Sequence, residues 1–379
     1  MRLFRIEANG LLLFKDNSCI DFYAEQRVNE VDEGSVYNVF NNIYTNNVCS
    51  IIGINASGKT SLLKMISFVV DMINGNPINL ISNRNILYGS EKADFNCYFC
   101  HDDMFYKLHT EINNKELDGE IHYYIEKEEI YRKKTTSIKS KMNLFVFDNK
   151  DILINRDNNE EFLKDDISIA ISLSRNNAIK VYNMINDTNY NRLKFIGNFP
   201  HDMIAFFDPN IERLTWDNTA QEMILKFHNR EEIRIKNLNN LDNYLSSGTI
   251  KGLNIFIYAF QALISGGYMI VDELENHFNK EIVSTLLRFF TDKDINKNGA
   301  TLIFSTHYSE LLDEITRNDS INIVRNNDGI TIQKLSHVLI RKDIKRSEIY
   351  KSDYLHGTAP SYDLYKKLKK SFSNGVNSI

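Results

Sequence analysis

Residues 48–65 read VCSIIGINASGKTSLLKM and contain the pattern Gly-x-x-x-x-Gly-Lys-Thr, which runs from Gly53 to Thr60. The preceding run, Val48 to Ile52, is short and rich in β-branched residues, which predicts a strand. Apolar residues then recur at helical spacing, so we expect a helix from about Gly58 to Gly75. A strand, a glycine-containing loop and a helix in this order are the context in which the pattern forms a Walker A phosphate loop.

The residue types in the loop indicate a polyphosphate ligand. Gly53 and Gly58 allow the backbone N–H groups to point inward, and the start of the helix adds a partial positive charge. We expect Lys59 to contact the β- and γ-phosphates and the Thr60 hydroxyl to bind Mg²⁺. An ordinary glycine-containing strand-to-helix turn is the alternative, and the flanking elements disfavour it. The other expected phosphate contacts are Asn55, Ala56, Ser57 and Ser61.

The composition indicates a globular protein without a membrane segment. The chain has 379 residues, long enough for one large domain or two smaller ones. Its longest apolar run, residues 255–264, is too short to span a bilayer. Residues 1–10 lack the features of a secretory signal, and four cysteines fit a reducing compartment, so we expect a cytoplasmic protein. The net charge of -5 gives no general signature of nucleic-acid binding.

The hydrophobic pattern changes several times along the chain. Alternating runs between residues 94 and 148, including NLFVFD at 143–148, predict an antiparallel sheet. The C-x-x-C-H pattern at 97–101 falls within such a run, so strand cysteines are favoured over haem attachment. The patch AIKVYNMI at 178–185 predicts a helix, and three short strands follow it. The resulting segments are 1–154, 155–240, 241–335 and the basic tail 336–379.

Two apolar strands in the third segment end in polar residues. The run Tyr268 to Val271 leads into Asp272 and Glu273, where one carboxylate could bind Mg²⁺ and the next could polarise water. The run TLIFS precedes His307, which could donate to a γ-phosphate oxygen at the same edge of a parallel sheet. Each feature also has a simpler explanation when it is considered alone. Asp272 and Glu273 could be the acidic end of a strand at an exposed edge, and His307 could be a surface loop residue.

A second anion-binding helix start precedes the Asp272 strand. Ser246, Ser247 and Gly248 lie immediately before a predicted helix, and hydroxyls and backbone N–H groups at such a start bind anions. One nucleotide cannot easily use two helix starts and both Walker elements of a single subunit. The arrangement therefore suggests a second subunit.

These motifs carry a family resemblance. LSSGT, residues 245–249, resembles the signature motif of ATP-binding-cassette (ABC) ATPases; Asn276 falls at the position of their D-loop, and His307 resembles their switch histidine. GINASGKTSLL, VDELEN and FSTHYSELLDE are similar to the non-transporter branch that includes RecF, the SMC proteins and the OLD-like ATPases. Within it, the chain resembles the AAA-family ATPases of bacterial anti-phage islands, and residues 340–360 resemble the C-terminal end of that group.

The resemblance implies an α/β fold: an ABC-ATPase head with a P-loop parallel core sheet, an antiparallel β subdomain and a helical insertion. Segments 1–154 and 241–335 would be the two ATPase lobes. It implies a homodimer or higher homo-oligomer that sandwiches ATP and Mg²⁺, with Ser246 and Gly248 of one head contacting the γ-phosphate held by Lys59 of the other. Thr60 and Asp272 would bind Mg²⁺, and Glu273 and His307 would be catalytic. No glutamine occurs between residues 27 and 220, so the residue in place of the family's Q-loop glutamine is unidentified.

Two functions from different classes remain open at this point. The leading hypothesis is an ATP hydrolase that serves as sensor or scaffold in phage defence and controls a separate effector, a nuclease or toxin. Only 72 residues follow His307, too few for the Toprim nuclease domain of OLD-like proteins. The alternative is a RecF-like or SMC-like DNA-repair clamp that would use basic residues at 132–141 and in the tail. A P-loop kinase is disfavoured because a kinase has no use for a signature motif.

Overall fold

The structure is a computed structural model that describes residues 1–156, 163–175, 177–186, 192–195, 197–276, 278, 280–339, 345–352 and 362–376. Its strands are β1 (Arg2–Asn9), β2 (Ser18–Asp21), β3 (Val36–Phe40), β4 (Ile43–Asn46), β5 (Val48–Ile52), β6 (Lys92–His101), β7 (Met104–Leu117), β8 (Glu120–Lys134), β9 (Ile152–Asn155), β10 (Val181–Met184), β11 (Ile211–Asp217), β12 (Glu222–Phe227), β13 (Ile233–Ile235), β14 (Tyr268–Val271), β15 (Thr301–Thr306), β16 (Ile321–Asn326) and β17 (Ile330–Lys334). Its α-helices are α1 (Lys59–Ile73), α2 (Ile171–Ser174), α3 (His201–Phe207), α4 (Ser247–Ser265), α5 (Lys280–Thr291), α6 (Leu335–Val338), α7 (Arg346–Lys351) and α8 (Tyr362–Val376).

The phosphate loop leaves the interior of a six-stranded sheet with the order β10–β14–β15–β5–β16–β17. The first five strands run parallel, and β17 pairs antiparallel with β16 at the edge. Every residue of β5 and β14 is buried, as expected for parallel strands covered on both faces. Because β14, β15 and β5 are neighbours, the residues that follow them meet at one edge of the sheet. The predicted α/β fold with a parallel core sheet is confirmed.

A second six-stranded sheet is antiparallel and has the order β2–β1–β6–β7–β8–β9. One of its faces packs with helix α1 against the core sheet, and the shared core includes Ile6 and Phe95 from this sheet and Ile51 from β5. The Phe68 ring of α1 lies 5.7 Å from the Phe95 ring, centroid to centroid. This packing connects the helix that begins at the phosphate loop to the antiparallel sheet.

The opposite face of the core sheet is covered by α4 and α5. Phe256 and Leu287 of these helices pack against Val271 and Phe304 of β14 and β15. The small antiparallel sheet β11–β12–β13 shares a further apolar cluster with α4, which includes Leu225 and Leu253. The segment 155–240 therefore holds this small sheet and also contributes β10 to the edge of the core sheet.

The strand predicted at 143–148 is wrong. In the structure this stretch is an irregular turn, in which Leu144 is fully buried and the ring of Phe145 lies 4.9 Å from that of Tyr98. The Lys133 ammonium donates to the carbonyl oxygens of Asn143 and Val146, both at 2.7 Å. The alternating pattern therefore reflects the burial of aromatic rings. The Lys133 side chain forms the hydrogen bonds to carbonyl oxygens that a neighbouring strand would form in a sheet.

The helix predicted at 178–185 is also wrong, because residues 181–184 form strand β10. Val181 pairs with Tyr268 and Met184 with Val271 in a parallel ladder. Apolar residues at 181 and 184 fit helical spacing equally well, so the local pattern alone did not decide between the two structures. The ladder to β14 favours the strand.

Several smaller predictions can be compared with the fold. Cys97 and Cys100 lie buried in β6 as free thiols, as predicted for strand cysteines. Parts of the tail, residues 340–344 and 353–361, lie outside the described residues, and with them much of the resemblance at 340–360. Among the helices that the structure describes, none has both the length and the apolar character to cross a membrane.

Candidate functional site

The loop between β5 and α1 approaches its neighbours so closely that glycine is required at two positions. A Cβ atom on Gly53 would lie 2.3 Å from the Ser57 hydroxyl oxygen and 2.5 Å from the Val324 carbonyl oxygen. Gly58 has a φ of +101°, and a Cβ atom there would lie 2.4 Å from a side-chain carbon of Ile330. The backbone can therefore wrap around a phosphate with no side chain in the way.

The loop borders a cavity of about 370 Å³ at the carboxyl edge of the core sheet. A cavity of this size is within the range of small-molecule sites. The structure thus brings together residues from the loop, from the end of β14 and from the end of β15. The lining residues are Leu13, Asn55, Ala56, Ser57, Gly58, Lys59, Thr60, Ser61, Glu273, His307, Asn326 and Ile330.

Lys59 is 6% exposed, and its ammonium group is held by neutral partners. It donates to the carbonyl oxygens of Gly53 at 2.9 Å and Ile54 at 3.1 Å, and to Nδ1 of His307 at 3.3 Å. Burial lowers the pKa of Lys59, and the nearby Asp272 carboxylate opposes that effect. An ammonium group that is desolvated and lacks direct contact with a carboxylate can be transferred favourably to phosphate oxygens.

The two residues predicted to bind Mg²⁺ are in direct contact. The Thr60 hydroxyl donates to Oδ2 of Asp272 at 2.6 Å, and the Ser305 hydroxyl donates to the other oxygen, Oδ1. Adjacent ligands of an octahedral Mg²⁺ lie roughly 3.0 Å apart when each bond is about 2.1 Å. Thr60 and Asp272 are therefore close to the separation at which they could share one ion.

Glu273 and His307 form a hydrogen-bonded pair at the mouth of the cavity. Nε2 of His307 donates to Oε1 of Glu273 at 3.3 Å, and Asn276 donates to the other carboxylate oxygen. Because Nδ1 of His307 accepts from Lys59, the proton of a neutral imidazole lies on Nε2. Glu273 has a φ of +49°, an uncommon conformation for a residue other than glycine. Such conformations cluster at functional sites.

Two further residues position this pair and were missed in the sequence. Ser305 accepts a hydrogen bond from the backbone N–H of Glu273 at 2.7 Å while it donates to Asp272. Glu275, only 5% exposed, accepts from the backbone N–H of His307 at 2.5 Å. The role of Ser305 could have been predicted from the sequence. A hydroxyl group in a buried apolar strand needs a polar partner, and the strand before Asp272 was predicted to lie beside it. The role of Glu275 could not be predicted, because the sequence shows it only as a third acidic residue shortly after Asp272 and Glu273.

One protein family matches the chain. Residues 48–313 match the family described as "AAA domain, putative AbiEii toxin, Type IV TA system", which is more than half of the chain. The chain belongs to this family. No curated protein matches it. P-loop ATPases of this kind generally bind ATP together with Mg²⁺. The finer resemblance to the OLD-like, RecF and SMC proteins stays a prediction.

The residues predicted to form a signature motif lie apart from the cavity. Ser246 caps the start of α4, where its hydroxyl accepts from the backbone N–H of Thr249 at 3.0 Å. Ser246 and Ser247 are exposed, and neither Ser246 nor Gly248 lines the cavity. The N-terminus of α4 therefore faces outward, with hydroxyls and backbone N–H groups available to an anion from outside the chain.

Proposed function

We propose that this chain is an ABC-type ATPase that dimerises around ATP and acts as the sensor or scaffold subunit of a phage-defence system, where it controls a separate effector. The observation that carries the proposal is a division of the predicted site. Lys59, Thr60, Glu273 and His307 converge on one cavity, with Asp272 beside them, whereas the signature residues lie on the exposed start of α4.

In this proposal the cavity holds the triphosphate. Lys59 exchanges the carbonyl oxygens of Gly53 and Ile54 for β- and γ-phosphate oxygens, which are stronger acceptors because they are charged. Thr60 and Asp272 would hold Mg²⁺, which would neutralise charge on the triphosphate. Ser305 keeps the Asp272 carboxylate oriented throughout.

Hydrolysis would then depend on Glu273 and His307. The Glu273 carboxylate orients a water molecule and accepts its proton as the water oxygen bonds to the γ-phosphorus. The bond from that phosphorus to the bridging oxygen breaks, and ADP and phosphate result. His307, which carries its proton on Nε2, can donate to a γ-phosphate oxygen and stabilise the developing charge.

The exposed start of α4 supports a composite site between two heads. A two-fold dimer would place Ser246 and Gly248 of each head at the γ-phosphate of the other, so both sites form together. Binding is then reciprocal: if ATP favours the dimer, the dimer favours ATP by the same factor. Closure and release of the heads would be the signal that an effector detects.

The family description supports a link to toxin–antitoxin biology, in which two components act together. An ATPase controls a partner by binding it with different affinity in its ATP and ADP states. The DNA-clamp alternative receives less support, because Lys133 and Lys141 of the basic 132–141 stretch donate to backbone carbonyls of the same chain. These two charges therefore also have a structural role.

Expression in bacteria tests the proposal. The chain alone should be harmless and give no phage resistance, while co-expression with the protein encoded beside it should give resistance that Lys59→Ala removes. Lys64→Ala, a lysine substitution farther along α1, is the matched control and should keep resistance. Toxicity of the chain by itself, or ATP-dependent cleavage of DNA or RNA by the purified chain, would overturn the two-component assignment.

A further inference from the structure

Three ionisable side chains meet on the polar face of the antiparallel sheet. Asp94 lies on β6, and His109 and Glu111 lie on β7; Asp94 pairs across the strands with Glu111, and Asn96 pairs with His109. One potential ligand atom from each of the three lies within 4.8 Å of the other two. None of these residues belongs to the nucleotide cavity. The cluster therefore needs an explanation of its own.

The imidazole of His109 lies near more oxygen atoms than it can donate hydrogen bonds to. Nδ1 lies 3.1 Å from Oδ1 of Asn96 and 3.8 Å from Oδ1 of Asp94, while Nε2 lies 3.1 Å from Oε1 of Glu111. An imidazole has at most two N–H groups. The Asp94 oxygen is buried and receives no hydrogen bond. A buried carboxylate oxygen without a donor is costly unless a cation neutralises it.

The cations around Asp94, namely Lys92, Lys107 and a protonated His109, act on its charge without donating a hydrogen bond to its buried oxygen. Lys92 pairs with one oxygen of Glu111 at 2.5 Å and with Glu126 at 3.1 Å, and the other Glu111 oxygen faces Nε2 of His109. The side chains of Asp94 and His109 are 32% and 15% exposed, so an ion could reach them from solvent.

We propose that Asp94, His109 and Glu111 bind a divalent transition-metal ion of the Zn²⁺ type, with the amide oxygen of Asn96 as a further neighbour. Zn²⁺ lies about 2.0–2.2 Å from nitrogen and oxygen ligands, so two bonds can span the 3.8 Å between His109 and Asp94. A mixed imidazole and carboxylate set favours Zn²⁺ or Mn²⁺ over Ca²⁺, which prefers oxygen ligands alone.

The fold presents these ligands on two adjacent strands of one sheet. The β6–β7 hairpin sets the register that brings Asp94 and Glu111 opposite each other, and the apolar side of the same sheet packs against α1. A bound ion would cross-link the two strands. Because it would bind the folded chain and not the unfolded one, it would raise the melting temperature with increasing metal concentration.

Calorimetric titration of Zn²⁺ into the full, chelator-treated chain, without nucleotide, tests the proposal. We expect one site per chain that is lost or weakened by at least about 10-fold in His109→Ala and in the nearly isosteric Asp94→Asn, with no binding of Ca²⁺. The matched control is His122→Ala on β8, a histidine that lies 3.6 Å from the Asp165 carboxylate; it should bind Zn²⁺ as the wild type does.

A second readout separates ligand loss from misfolding. Co²⁺ bound in place of Zn²⁺ should give a visible absorption band in the wild type and in His122→Ala, and this band should disappear in Asp94→Asn while the circular dichroism spectrum is unchanged. Absence of Zn²⁺ binding by the wild type would overturn the proposal. So would Zn²⁺ affinity in Asp94→Asn and His109→Ala equal to that of the wild type.

Discussion

The Thr60 hydroxyl lies 2.6 Å from Oδ2 of Asp272, although 212 positions separate the two residues in the chain. The contact exists because β5 and β14 flank β15 in the core sheet and end at the same edge. It joins the phosphate loop to the acidic end of β14 by a single hydrogen bond. One Mg²⁺ ion could therefore be held from both sides, and the contact predicts how each side affects the ion.

We predict that Asp272→Asn raises the Mg²⁺ concentration needed for half-maximal ATP hydrolysis by about 10-fold or more. The amide oxygen can still accept from Thr60, but the negative charge that attracts the ion is gone. Phosphate release measured across a Mg²⁺ series tests this. Asp118→Asn, at an exposed turn between β7 and β8, is the control and should match the wild type. An unchanged Mg²⁺ requirement would move the metal site away from Asp272.

We predict that Lys59→Ala abolishes ATP binding, because Lys59 supplies the mobile cation at the phosphate loop. Binding of a fluorescent ATP analogue measures the loss directly. Lys64→Ala removes a lysine from the same helix without touching the cavity, so its affinity should equal that of the wild type. Equal affinity in Lys59→Ala would contradict the assignment of the loop.

We predict that Glu273→Gln binds ATP normally and hydrolyses it about 10²–10⁴-fold more slowly. The amide keeps the shape of the side chain, and its oxygen can still accept a hydrogen bond from Asn276. It cannot accept a proton from water. Single-turnover hydrolysis with saturating protein separates the chemical step from binding. Turnover at the wild-type rate would make His307 the next candidate for the base.

We predict that the thiols of Cys49 and Cys100 react slowly in the folded protein. Burial raises the pKa of each to about 12, so at pH 8 on the order of one thiol in ten thousand is ionised. Labelling with a maleimide at pH 8 should be slow in the native protein and become fast in denaturant, where both thiols are exposed. Rapid labelling of both residues in the native protein at pH 8 would contradict the packing of β5 and β6.

The parts of the site that could be predicted from sequence rest on short-range patterns. The run that ends at Gly53 and the run that ends at Asp272 are apolar, β-branched and short, so a buried parallel strand was the natural interpretation of each. The polar residues that follow such strands meet at one edge of the sheet. For this reason Lys59, Thr60 and His307 could be placed together before the fold was known.

Other features depend on contacts between distant segments. The alternation of apolar residues around Phe145 arises because their side chains are buried. The backbone there does not form a strand, and Lys133 from β8 donates a hydrogen bond to one of its carbonyl oxygens. Residues 181–184 form strand β10 because their backbone pairs in parallel with β14, which would otherwise be the edge strand of the core sheet. The proximity of Asp94 and His109 depends on hairpin register, which a turn assigned at residues 102–103 would have predicted.

We propose that each ATP site is built from two chains, and mixing two inactive variants tests this proposal most directly. Ser246→Arg keeps an intact phosphate loop, and Lys59→Ala keeps an intact signature. If the motifs act in trans, an equal mixture should regain up to about a quarter of wild-type ATPase activity, because half of the dimers are mixed and each has one complete site. Activity no greater than the sum of the two separate variants would contradict the account.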